Sequence, residues 1–551
     1  MDTKSPKVMV LGLDGADSGI IDPLMAVGKL PHIASLMKEG TRGSLKSTVM
    51  PNSFPAWVSC LTGVNPGKHG IYWPLIRRGG SAYPLRLMNS SDIRAKRLWD
   101  LLGAQGRRVG VVNVPTEYPP AEVNGFLVCG ALTPGMDSDF TYPPGLRDEV
   151  FAAVPGYRCE IDYADLNLER LADQVLGSIE NREKLVLHLL EERDWDLFVA
   201  VFTETDLTQH KFWAGIDPQH PDHARFEKRY GTFVHKVYQR LDETVGRVIQ
   251  KIPEDAFIFV ISDHGFGPFY QSFSLPRWLR ENGYLDVRKP TPWARIKDLL
   301  VAAMGPQKAR WMKRTLSSFK GASKKNRTVR IQRERDESQG EAASKKIVWE
   351  RTKAYHTADY GIRINVKGRE PQGIVAPGAE ANLLTKEMAE KLKRLRYSNG
   401  EPVFEAVLAK EEAFSGPFVQ EAPDLIVPIN HAKAPAAPEQ WNYALTHPTL
   451  TGTHAPQGVF IARGPHIRAG AVIQGAEIVD ITPTILYLFD APLTEDMDGA
   501  VLFDVFTPEL KAGRKVVRKG SSLKDRSGEE VLSGEERQRL EERLRNLGYI
   551  D

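Results

Sequence analysis

Five short stretches of the chain carry residues able to bind metal ions and transfer phosphoryl groups. Asp14-Gly15 follows an apolar run, and Ser53 opens Ser53-Phe54-Pro55-Ala56-Trp57. Asp206 and His210 bracket Asp206-Leu207-Thr208-Gln209-His210, Asp263-His264-Gly265 ends another apolar run, and His454 stands in Gly452-Thr453-His454. Carboxylates, imidazoles, a candidate alkoxide and glycine turns are the parts of a two-metal phosphoryl-transfer site. If their stretch is helical, Asp206 and His210 share one face and can hold one metal ion. Asp263 and His264, adjacent at a strand end, can both reach a metal where the chain turns, as Gly265 permits. His454 reads equally as a ligand or as a loop histidine. Ser53, just ahead of Pro55, reads as a helix N-cap or as a nucleophile, whose alkoxide a helix dipole and a bound cation would both favour. Metal coordination is the expected activator, because no separate base stands nearby. The turn-rich stretch from Thr62 to Gly70 is expected to hold the nucleophile helix against a sheet, with His69 structural.

These residues need a scaffold. Val8–Leu13 is a nearly continuous apolar run, as strands buried on both faces are. Similar runs recur at Arg108–Val114, Asp196–Phe202, Phe257–Ser262, Gly361–Val366, Asp424–Ile429 and Gly458–Arg463, with helical patterns such as Leu168–Glu192 and Arg225–Ile252 between. The alternation predicts an α/β sandwich around a central, mostly parallel sheet flanked by helices. Asp14 and Asp263 each fall just past the carboxyl end of a strand, where such sheets gather functional residues.

The chain has 551 residues, 42% hydrophobic and 26% charged, and a net charge of +3, so charge alone indicates no partner. Three cysteines form no disulfide framework and no CxxC pair, which suits a reducing compartment. No stretch of about 20 apolar residues is present, and the expected location is cytoplasmic. The expected organisation is a first part of the catalytic core at 1–288, an insertion at 289–346, a second part at 347–510 and a charged tail at 511–551 ending in a helix at Ser533–Leu547. The insertion carries an apolar stripe from Trp293 to Met304. From Lys308 to Arg335 it has eleven Lys/Arg and one Glu. It is expected to be partly helical or disordered and to meet an anionic partner, nucleic acid or membrane.

Taken together and in this order, the motifs resemble the alkaline phosphatase superfamily, in its type I phosphodiesterase/nucleotide pyrophosphatase-like branch. The resemblance covers roughly residues 6–285 and 347–505. It implies an alkaline-phosphatase-like fold. It also implies one metal held by Asp206, His210 and His454, and another held by Asp14, Asp263 and His264 with Ser53 as ligand and nucleophile. In-line attack by Ser53 would give a phosphoseryl intermediate. Zinc suits these ligands and manganese also accepts them. Two departures stand out. Nucleotide pyrophosphatases place an Asn shortly after a His-Gly-Ile loop, whereas His69-Gly70-Ile71 here has no Asn until Asn89. Sulfatases need an Arg where this chain has Trp57.

The expected activity is hydrolysis of a small phosphomonoester or phosphodiester. A phosphomutase of the same superfamily, or a non-catalytic protein docking through its basic insertion, are the alternatives. Asn113, Arg363, Lys367 and Arg369 are candidate substrate-binding residues, since arginine suits bidentate recognition of phosphate.

Overall fold

The apolar run Val8–Leu13 forms a strand whose six residues are all buried. It lies in the middle of a nine-stranded sheet, and strands there must be apolar on both faces. The computed structural model describes residues 5–77, 85–161, 167–288, 346–357, 360–435, 444–445, 450–524 and 532–547. The strand order is Ala471–Glu477, Thr41–Lys46, Gln457–Arg463, Phe257–Ile261, Val8–Leu13, Leu197–Phe202, Val109–Val112, Gly125–Val128 and Thr141–Tyr142. The five strands from Phe257–Ile261 to Gly125–Val128 run parallel. Gln457–Arg463 enters antiparallel between Thr41–Lys46 and Phe257–Ile261. The architecture is the expected α/β sandwich.

One helical layer contains Pro31–Glu39, Leu168–Glu192, Glu204–Ile216 and Phe233–Lys251, packed on one another. Ser53–Thr62, Leu98–Gly103 and Ile481–Leu488 form a second packed group. Leu168–Glu192 has the predicted bounds, with Asn167 as its N-cap. The pattern at Arg225–Ile252 instead divides into His223–Tyr230 and Phe233–Lys251. Gly231 and Thr232 fall at the break, and both are weak helix formers.

A second core draws on residues from Phe273 to Ala434. Its antiparallel sheet has the order Ala354–Thr357, Gly361–Ile364, Leu425–Ile426 and Leu408–Ala409, with the helix Ala379–Lys393 contributing Leu384, Met388 and Leu392 to the same core. The runs Gly361–Val366 and Asp424–Ile429 therefore belong here, not to the large sheet as their pattern suggested. A short buried strand reads as an apolar run whichever sheet it joins. The predicted basic insertion lies outside the described residues except for Lys346. Cys60, Cys129 and Cys159 are buried thiols. Among the described residues no helix is long and apolar enough to cross a membrane.

Candidate two-metal active site

Two glycines let the first carboxylate meet the serine. Gly12 sits in the strand Val8–Leu13, and a β-carbon there would lie 2.4 Å from the Trp57 ring. Without one, the helix Ser53–Thr62, buried at all ten residues, packs directly on the strand. Gly15 then turns the chain at φ 68°, a left-handed value that glycine adopts without strain. The helix N-cap is Asn52, whose side chain accepts from Phe54 N–H. Asn is among the best N-caps, so the capping role expected of Ser53 falls one residue earlier. Ser53 Oγ lies instead 3.1 Å from Asp14 Oδ1 and 3.2 Å from His264 Nε2.

Asp206 and His210 are on the helix Glu204–Ile216, as their spacing predicted. Two bonds tie that helix to the Asp14 loop: Thr205 Oγ1 donates to the Asp14 carbonyl at 2.6 Å, and Gln209 Nε2 to the Gly15 carbonyl at 2.7 Å. Asp263 and His264 follow the strand Phe257–Ile261, and Gly15 N–H donates to Asp263 Oδ1 at 3.2 Å. His454 is not in a loop. It lies on a short strand, Gly452–Ala455, paired antiparallel with Gly265–Pro268 so that His454 faces Phe266. That ladder begins one residue after His264, which explains how a histidine so distant in sequence joins the cluster.

All seven predicted donors converge. Asp206 Oδ1 is 3.1 Å from His454 Nε2, 3.5 Å from His210 Nε2 and 3.9 Å from His264 Nε2. His264 Nε2 is 3.3 Å from Asp263 Oδ2 and 3.6 Å from Asp14 Oδ1. Two groups of three, Asp14 with Asp263 and His264, and Asp206 with His264 and His454, bring their ligand atoms within 4.8 Å of one another. Trp57 Nε1 donates to Asp14 Oδ2 at 2.9 Å. Sequence reasoning missed that support, because an indole reveals nothing of its partner until the helix is placed.

The hydrogen bonds of the three imidazoles fix where their lone pairs point. His210 Nδ1 is 2.9 Å from the Gly452 carbonyl, His264 Nδ1 is 3.0 Å from the Gly265 carbonyl and His454 Nδ1 is 2.8 Å from the Pro51 carbonyl. A carbonyl only accepts, so each Nδ1 carries the hydrogen, and in the neutral ring Nε2 offers its lone pair. Carbonyl-anchored histidines of this kind are the usual metal ligands. His210 Nε2 and His454 Nε2 are 2.9 Å apart. Two lone pairs that close need a shared proton or cation between them.

Charge points the same way. Burial, with Asp263 and Asp206 alongside, holds the Asp14 carboxyl well above its ordinary range. Burial, with Asp206 adding to it, pushes Asp263 up to about 8. Burial also acts upward on Asp206, but His210 and His454 outweigh it and hold that carboxyl below its usual value. Burial brings His210 down to about 4, and burial and His454 hold His264 well below the ordinary range. Asp263 Oδ2 is buried without a hydrogen bond. Neutral imidazoles and crowded carboxylates are a donor set that fits divalent cations.

The other predicted residues lie elsewhere. Asn113 is fully buried, and its amide donates to the Val201 carbonyl at 2.9 Å. Arg363 bonds Glu370 and the carbonyls of Glu421 and Ala422 in the second unit. Arg369 grips both oxygens of Asp424, at 2.7 and 2.6 Å. Lys367 is exposed on the same unit. None of the four is among the residues that line the cavity at Ser53. His69 is structural, 2.9 Å from Ser59 Oγ, and burial brings it down to about 3.

Known proteins place these observations in a family. The type I phosphodiesterase/nucleotide pyrophosphatase family matches residues 8–457, which include all seven donors. No curated protein matches the chain. Phosphonoacetate hydrolase from Sinorhizobium meliloti 1021 is similar in fold, with 15% identity, a TM-score of 0.50, and coverage of 88% of this chain and 96% of that one. Human ectonucleotide pyrophosphatase/phosphodiesterase 5 matches over 91% of this chain and 100% of its own, with 12% identity and a TM-score of 0.47. Since that family matches most of its length, the chain belongs to the type I phosphodiesterase/nucleotide pyrophosphatase family of the alkaline phosphatase superfamily and is a phosphoric ester hydrolase.

Proposed function

We propose that the chain hydrolyses a small phosphomonoester or phosphodiester with two divalent metal ions and Ser53 as nucleophile. Asp206, His210 and His454 hold one ion. Asp14, Asp263 and His264 hold the other, with the Ser53 oxygen as a further ligand. The observation that carries this reading is the 2.9 Å approach of two carbonyl-anchored Nε2 atoms beside three buried carboxylates. Nothing but a cation or proton satisfies that arrangement. When bound, the ions supply Lewis acidity, favouring the serine alkoxide and screening the phosphoryl oxygens. Zinc is the expected metal, and manganese also fits the nitrogen and oxygen donors.

The chain's own residues do the rest. Asp14 Oδ1 and His264 Nε2 hold Ser53 Oγ in place at 3.1 and 3.2 Å. Ser53 lies in the first turn of its helix, where the dipole favours negative charge on the oxygen. Its oxygen attacks phosphorus in line as the ester oxygen leaves on the opposite side. Water then attacks the phosphoserine from the vacated side, releasing phosphate or a phosphomonoester and restoring the hydroxyl. Trp57 keeps the Asp14 carboxylate oriented throughout through its 2.9 Å bond.

The test is elemental analysis of the reconstituted protein together with turnover of a generic aryl phosphate monoester and diester. Two equivalents of metal and turnover of at least one ester are expected. Less than one equivalent, or no turnover of either ester, overturns the reading. The ratio of the two rates identifies the ester class.

A further inference from the structure

Behind the donor cluster runs a chain of hydrogen bonds that ends on one phenol. Tyr238 lies on the helix Phe233–Lys251 and is buried. Its hydroxyl accepts from Asp17 N–H at 2.9 Å and donates to Gln209 Oε1 at 3.0 Å. The direction follows from the partners. A backbone N–H only donates, so the phenol accepts there, and its single hydrogen is left for the amide oxygen. Burial, with Asp17 adding to it, holds the phenol well above its ordinary range, so that hydrogen stays in place at neutral pH. Gln209 is itself buried. With its oxygen turned to Tyr238, its Nε2 donates to the carbonyls of Gly15 at 2.7 Å and of Thr205 at 3.2 Å. Both carbonyls only accept, so a reversed amide would set oxygen against oxygen on that side. A phenol that must donate thus fixes which way Gln209 points.

These bonds join the two halves of the donor set. Asp14 and Gly15 belong to the loop after the first strand, and Gly15 N–H reaches Asp263 Oδ1. Asp206 and His210 belong to the helix Glu204–Ile216, on which Gln209 also stands. Asp17 follows in the same loop as Asp14. Its Oδ2 accepts from Phe266 N–H at 3.2 Å, and Phe266 faces His454 across the short ladder. Tyr238 is none of the seven donors. It stands where the loop, the helix and the ladder meet.

We propose that Tyr238 is a positioning residue which, acting through Gln209, sets the separation of the two metal ions. This rests on the two-metal reading given above. The two halves of the site come from separate elements, so their spacing depends on non-covalent ties such as these. A pair of ions clamps the entering and leaving oxygens together only at the right spacing, and a misplacement of about 1 Å can cost about 100-fold in rate. Without the phenol hydroxyl, Gln209 Oε1 is left buried and unpaired. The amide then loses the bond that turns its nitrogen toward Gly15, and the loop and the helix are free to shift relative to each other.

The test loads the full-length protein with manganese(II) and reads the spin coupling between the two ions by electron paramagnetic resonance, since that coupling depends steeply on their separation. Tyr238→Phe removes one oxygen and keeps the ring. It should still take up two equivalents, because all seven donors remain, but its coupling should be shifted or spread relative to the wild type. On whichever aryl phosphate ester the wild type turns over, kcat should fall about 10- to 100-fold with KM little changed. Gln209→Leu should alter the coupling in the same way, and it decides the matter if Tyr238→Phe does not fold. Thr244→Val, on the same helix, breaks the 2.6 Å bond from Thr244 Oγ1 to Glu183 Oε2. It should lower stability and leave both coupling and kcat unchanged, which separates positioning from general loosening of the helix. An unchanged coupling or kcat in Tyr238→Phe, or an equal change in Thr244→Val, overturns the proposal. A wild type that binds one equivalent or less overturns the two-metal reading and this proposal with it. A coupled wild-type pair untouched by Tyr238→Phe overturns this proposal alone.

Discussion

Asp263 and Asp424 are both buried carboxylates, one in each unit of the molecule, and their surroundings differ in sign. Asp424, in the second unit, meets Arg369 at 2.6 Å and Lys410 at 3.0 Å. Burial acts upward on it, but these cations outweigh the burial and hold it below the ordinary range. Asp263, at the end of a strand in the large sheet, faces Asp14, Asp206 and a neutral imidazole, and is pushed up to about 8. In the second unit Arg363 pairs with Glu370, and Arg369 and Lys410 pair with Asp424. In the catalytic unit like charges converge, and the site is complete only with cations from outside.

The largest effect expected is on chemistry. Ser53→Ala should lower turnover by on the order of 10⁴-fold or more, while both metals stay bound, because six protein donors remain. Rates near wild type with full metal content would remove the covalent step.

The contrast between the two aspartates is tested directly by a matched pair of substitutions. Asp424→Asn strands the well-buried Lys410 and leaves Arg369 with Glu370 alone, and should destabilise the chain by about 3 kcal/mol, with or without metal. Asp263→Asn puts a neutral amide where burial already favours the protonated carboxyl, so in the metal-free protein it should be neutral or stabilising. Its penalty should appear only as lost metal. Thermal melts of both variants, metal-free and metal-loaded, check this. Equal destabilisation of the metal-free chain by both would erase the distinction drawn between the units.

The smallest effect is on protons. In the metal-free chain the raised Asp14 and Asp263 carboxyls hold protons at neutral pH that a metal ligand must lose. Metal addition near pH 7 should therefore acidify a weakly buffered solution. Apparent affinity should rise as pH passes through about 8, where Asp263 gives up its proton. The linked stability has the opposite sign. Asp263 protonates more readily folded than unfolded, so its contribution to the metal-free chain is full below the unfolded value near 4 and is lost as pH rises toward 8. An affinity that does not change between pH 6 and 8 would contradict the raised carboxyls.

Much of the catalytic unit was legible because its signals are local. Asp14-Gly15 and Asp263-His264-Gly265 follow apolar runs, and Asp206 and His210 show helical spacing, so strand ends and a helix face could be read directly. Ser53 read either as a cap or as a nucleophile, and the cap proves to be its neighbour Asn52. What sequence did not show was pairing across distance. The strand around His454 is four residues long and has no apolar repeat. The antiparallel sheet of the second unit reads like the parallel one. Arg363 and Arg369 look like anion binders until Glu370 and Asp424 are seen folded against them.

The strand Gln457–Arg463 lies between Thr41–Lys46 and Phe257–Ile261, and His454 precedes it by three residues. During synthesis the N-terminal strands emerge first, yet the sheet stays divided until residue 463 has left the ribosome. The last imidazole arrives in the same movement that closes that gap. The last of the seven donors and the strand that joins Thr41–Lys46 to the rest of the sheet thus arrive together. A chain that ends before His454 keeps six of the seven donors and leaves the strand Thr41–Lys46 without either of its neighbours.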